Sequence, residues 1–201
     1  MLSCVRLSVC RVLSTHSGDE ECPSPESYQQ RYSGFAKSLH WIVAHPARLT
    51  IIPVGIAMGQ IENAPFNLYN FHKSLGVLIL VLMTVRLIYR LVHGVPPEPK
   101  IPAFYRIAGT VTHWALYVLL FLTPISGAIA NMFYGASTPF FGLFEIQPFF
   151  VKNEDTANFI FARHKLMGFA VGALAIMHIG AALFHYFIRK DGVLQRMLPG
   201  S

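Results

Sequence analysis

The chain has 201 residues, of which 53% are hydrophobic and 13% charged, with a formal net charge of +6. A soluble domain carries about 25% charged residues, so the composition excludes a water-soluble globule. The basic excess does not indicate nucleic acid either, because the Lys and Arg residues sit at the ends of apolar segments, where they anchor beside anionic lipid headgroups.

Residues 1–33 form an N-terminal extension, and residues 34–201 the membrane domain. From Met1 to His16 the extension carries Arg6 and Arg11 and no acid, with Leu2, Val5, Val9, Val12 and Leu13 at helical spacing. That pattern resembles a mitochondrial presequence, and a plain tail is the alternative. Cys4, Cys10 and Cys22 all precede the first apolar segment, and no CxxC or CxxCH occurs. Ligands for a covalent c-type haem or a cysteine zinc site are therefore lacking.

Four apolar stretches follow, at about Leu39–Met58, Phe71–Val92, Ile107–Phe133 and His164–Ile188. Each approaches the ~20 residues needed to cross the hydrocarbon core. Lipid offers no backbone partners, so they are expected to be helices. The reading is an all-α membrane protein, a four-transmembrane-helix bundle. HPAR at 45–48 places a proline and an arginine inside the first span and leaves its register open. PPEPKIP at 96–102 ends the second. The long 133–163 connection contains FFGLF and PFF, which point to a short element in the membrane interface. Taking the N-terminal face as side A, eight basic residues lie near it against four on side B. Both termini are then expected on a matrix or cytoplasmic side.

Eight of the nine histidines lie in or beside the spans. Ionisable residues at membrane depth are costly and mark functional sites. His164 and His178 on the fourth helix are 14 residues apart, which puts them within about 40° of one face and ~21 Å apart along the axis. One metal cannot use both, but two cofactors at different depths can. His40 begins the first helix on side A and matches His178; His72 begins the second on side B and matches His164. Two imidazoles fill both axial positions of a haem iron and suit it to electron transfer. The expectation is two b haems (protohaem IX) held by His40/His178 and His72/His164. Gly76, Gly168, Gly172 and Gly180 either admit the flat macrocycle or simply pack helices closely. Arg86 and Arg90 either pair with haem propionates or anchor the helix. His113 is left as a cap, a quinone-pocket residue or a propionate partner. His185, near the side A surface, is a site residue or an interfacial histidine.

Four stretches carry a family likeness: LHW at 39–41, HKSLGVLILVLMTVRLIYR at 72–90, HWALYVLLFLTPISG at 113–127, and HKLMGFAVGALAIMHIGAALFHYFIRKDGVLQRMLPG from 164. They resemble the prokaryotic cytochrome b561 family, the di-haem, four-helix type. The resemblance implies haem ligands at His40, His72, His164 and His178, and electron exchange with ubiquinone. One branch is similar to a superoxide oxidase, which takes electrons from superoxide and reduces quinone; its quinone pocket falls on His185 and Lys100, with His113 nearby. Other branches are haem subunits that dock further subunits of a respiratory complex. The long N-terminal extension departs from the bacterial pattern and favours the mitochondrial inner membrane, with the bacterial plasma membrane as the alternative. Three functions therefore compete: a superoxide-to-quinone oxidoreductase, a membrane subunit of a larger assembly, and a haem-free scaffold.

Overall fold

The computed structural model describes residues 31–47, 66–97 and 101–198, with Phe66 and Asn67 as backbone only. In chain order these form α1 (Gly34–Pro46), α2 (Phe66–His93), α3 (Ala103–Phe133), a hairpin of β1 (Thr138–Phe140) and β2 (Phe144–Ile146), and α4 (Glu154–Phe184), which runs into a π turn at His185–Arg189. Three helical stretches, Leu68–His93, Ala103–Phe133 and Glu154–Arg189, are long and apolar enough to cross a membrane. With α1 as the fourth helix, this is the expected helical membrane bundle.

α1 starts at Gly34, earlier than the apolar pattern indicates, because the Ser33 side chain caps it by accepting from Ala36 N–H. Pro46 falls in its last turn. The rest of the first expected span, to Met58, lies outside the described residues. α4 begins at Glu154, ten residues before the apolar reading placed it. Asn153 caps it by accepting from Thr156 N–H, and Glu154 and Asp155 occupy the first turn, where the helix dipole favours negative charge. The KNED segment is thus a helix start and not a loop.

The interfacial element is a β-hairpin, with Thr138 opposite Ile146 and Phe140 opposite Phe144. Phe141 and Gly142 turn it with φ of 49° and 75°. It lies on side B, where Asn131 donates to the carbonyls of Ala136 (2.8 Å) and Ser137 (3.1 Å). Lys73 Nζ also reaches the Ser137 carbonyl at 3.2 Å.

The helices pack in sequence, α1 on α2, α2 on α3 and α3 on α4. Val43, Ile79, Met83 and Tyr117 make the buried centre of the first three. Neither α1 nor α2 packs closely along α4 among the described residues, and across these two gaps the histidines face each other. On side A, Ser33 Oγ meets Tyr89 Oη at 2.8 Å, Trp41 Nε1 donates to the Met197 carbonyl at 2.8 Å, and Arg196 donates to the Pro97 carbonyl at 2.7 Å. The start of α1, the end of α2 and the C-terminal tail therefore share one face.

Candidate haem sites

On side B, His72 from the first turns of α2 faces His164 from α4, with ring centroids 6.0 Å apart and planes at 89°. On side A, His40 from α1 faces His178 from α4, at 6.3 Å and 69°. Two imidazoles bound to one iron at about 2 Å, each ring centre roughly 1 Å behind its nitrogen, stand with centres about 6 Å apart. Both pairs fit that spacing. Among the described residues no cluster of three or more His, Cys, Asp or Glu side chains is placed to hold a metal ion.

The register of α1 follows from the same contacts. His40 meets His178, whereas His45 turns its Nδ1 to its own helix, 3.2 Å from the Trp41 carbonyl. His93 stacks on Tyr89 with centroids 4.1 Å apart and does not join a pair.

His164 has a built seat. Its Nδ1 donates to the Thr123 carbonyl at 2.9 Å, which leaves Nε2 as the free lone pair. Thr123 precedes Pro124, in the interior of α3. One turn on, Gly127 makes room for the ring: a Cβ there would stand 2.8 Å from His164 Cε1 and 2.9 Å from Nδ1. His72 is held differently, since its buried Nδ1 finds no partner among the described residues.

His113 lies against the side A pair, its ring 5.2 Å from that of His178. Arg86 Nε donates to Tyr117 Oη at 2.9 Å, and Arg90 lies over the rings of Trp114 and Tyr117 at 5.7 Å. His185 does not face the pair at all. It is 7% exposed, and its Nδ1 contacts Asp191 Oδ2 at 2.6 Å. Lys100 lies outside the described residues. Of the glycines singled out in the sequence, Gly168 and Gly180 face open space and Gly76 packs on Pro124.

The residues that sequence reasoning missed are Thr123, Gly127 and Asp191. Their signals were present in TPISG and KDGVLQRMLPG, as a proline in mid-span and an acid just past a helix end.

The family profile described as prokaryotic cytochrome b561 matches residues 31–200, which covers both histidine pairs. The chain belongs to the prokaryotic cytochrome b561 family. It is 31% identical over 179 residues to cytochrome b561 homolog 2 of Escherichia coli, covering 86% of this chain and 93% of that one. It is 32% identical over 183 residues to the probable superoxide oxidase CybB of Yersinia pestis, covering 85% and 97%. Cytochrome b562 of Cereibacter sphaeroides is 28% identical over 174 residues, covering 83% and 94%. The chain is thus a membrane electron carrier of the cytochrome b561 family, and that family implies b-type haem.

Proposed function

We propose that this cytochrome b561 holds two b haems, one between His72 and His164 and one between His40 and His178, and passes electrons from superoxide to ubiquinone. The observation that carries this reading is the pair of facing imidazoles at 6.0 and 6.3 Å on opposite ends of α4. The similarity to a probable superoxide oxidase supports the direction of transfer. A haem held by two such histidines would supply one-electron transfer and not oxygen binding.

The protein's own groups set the rest. The Thr123 carbonyl fixes the His164 tautomer, and Gly127 lets the ring approach α3. Arg86 and Arg90, positioned on Tyr117 and Trp114, place positive charge in the side A half, suited to pairing haem propionates. Quinone binds on side A, where His113, His185 and Lys100 are candidates for its site. Reduction of quinone consumes protons, and a histidine at the membrane surface is apt to supply them. The membrane domain spans residues 34–201, with residues 1–33 as an extension.

The test is pyridine haemochrome per polypeptide on the purified protein, expected at two. His72→Ala or His164→Ala should lose the side B haem and keep the other, and His40→Ala or His178→Ala the reverse. A ratio near zero sinks the electron-transfer reading and leaves a haem-free membrane scaffold. A ratio of two with no reaction towards superoxide or quinone favours a subunit of a larger assembly.

A further inference from the structure

α4 does not end as an ordinary helix. Beyond Phe184 the backbone widens into the π turn His185–Arg189, closed by Lys190 N–H on the His185 carbonyl at 2.7 Å. Lys190 then adopts a left-handed conformation, φ 53°. Non-glycine residues are rarely held there, and such positions, like π turns, concentrate at functional sites.

The reversal returns Asp191 beneath His185. One carboxylate oxygen, Oδ2, takes both His185 Nδ1 at 2.6 Å and Arg189 Nε at 3.1 Å. The other, Oδ1, accepts Val193 N–H at 3.4 Å. The Arg189 guanidinium lies 4.6 Å over the Tyr105 ring, and Tyr105 meets His185 edge-on at 5.4 Å. Asp191 and Arg189 from its own turn and Tyr105 from α3 are thus set around His185. His185 is buried although it lies at the very end of the span.

We propose that Asp191 is the positioning residue of a proton-delivering dyad: it holds His185 by Nδ1–H so that Nε2 gives a proton to quinone on side A. The inference rests on the side A quinone reading above. Two superoxide anions are oxidised to dioxygen and release two electrons; quinone takes up both electrons and two protons to become quinol. His185 supplies one of those protons from Nε2 to a quinone oxygen, while the other proton of the ring stays on Nδ1, hydrogen-bonded to the ionised Asp191; the second proton of the quinol comes from water at side A. Water at side A then reprotonates Nε2. Asp191 suits the task because it stays ionised. Burial pushes its carboxyl up, but the hydrogen bonds from His185, Arg189 and Val193 outweigh this and hold it below the usual carboxylate range.

The experiment uses the haem-loaded protein, reduced by superoxide and reoxidised in turn by a soluble ubiquinone analogue and by ferricyanide, which takes an electron without a proton. Asp191→Asn should keep its haem content and its ferricyanide rate. Its quinone rate should fall by about tenfold or more, a part of the ~10²–10⁴-fold that general acid catalysis contributes. Its pH profile should differ from that of the wild type, because the carboxylate that accepts from Nδ1 is gone. Asp191→Glu should recover part of the rate. The dyad is overturned if Asp191→Asn reduces quinone at the wild-type rate with an unchanged pH profile. It is equally overturned if haem, ferricyanide rate and quinone rate fall together, which marks a structural cap. If the wild-type protein reduces ferricyanide but not the quinone analogue, the side A quinone reading fails and the dyad with it.

Discussion

At the scale of single residues, Gly127 is the position with least freedom. A methyl group there meets the edge of the His164 ring at 2.8–2.9 Å, closer than real Cβ contacts come, so the ring must leave its seat on the Thr123 carbonyl. Gly127→Ala is therefore expected to lower side B haem occupancy to half or less while sparing the side A haem. Haem quantitation with reduced-minus-oxidised spectra checks this; full occupancy of both sites would show that the ring has another place to go. The four facing histidines were legible in the sequence because helical period and antiparallel order fix depth. Gly127 was not, since the atom that needs its space comes from another helix, and sequence periodicity does not report which neighbour a residue meets. The glycines that spacing did single out, Gly168 and Gly180, have open space beside them and no close neighbour. Asp191 escaped notice for a related reason. Its role depends on a π turn and a left-handed Lys190; the acid past the helix end was visible, but not the reversal that brings it to His185.

At the scale of elements, the side B hairpin is tied to α2 by one buried hydroxyl. Ser74 is 2% exposed; its Oγ lies 2.8 Å from the Asn70 carbonyl and 2.9 Å from the Pro139 carbonyl, and it accepts Phe141 N–H at 3.0 Å. Ser74→Ala strands two hairpin groups, and each buried group left unpaired costs about 1–3 kcal/mol. The expected result is a lowered thermal midpoint and earlier proteolysis between 138 and 146, with the side A haem retained. An unchanged midpoint would mean that the aromatic contacts Phe71–Phe141 and Phe140–Phe144 hold the hairpin without the hydroxyl. Helix limits were the less legible part of this scale. Apolar windows find the lipid-spanning stretch, but the polar first turns at Ser33 and Asn153 belong to caps, and those lengthen α1 and α4 towards their N-terminal ends. The hairpin was expected only as a short interfacial element, because FFGLF offers a single turn residue, Gly142, and the other positive-φ position is Phe141, which turn propensity does not favour.

For the molecule as a whole, large apolar side chains such as Ile88, Val111, Phe169 and Ile176 are exposed on the long helices, as a surface wrapped in lipid must be. The relatives described above are bacterial, which favours the bacterial plasma membrane over the mitochondrial inner membrane that the Arg-containing start of the chain implies. Residues 1–35 fused to a fluorescent reporter are then expected not to enter mitochondria; a mitochondrial reporter would reverse this reading.

Both histidine pairs close on α4, the last of the described helices. His40 waits for His178 across about 140 residues of chain, on the order of ten seconds of synthesis. During that interval α1 and α2 are already made while their imidazoles have nothing to face. Neither pair can form before α4 is made, and a chain truncated before His164 completes neither.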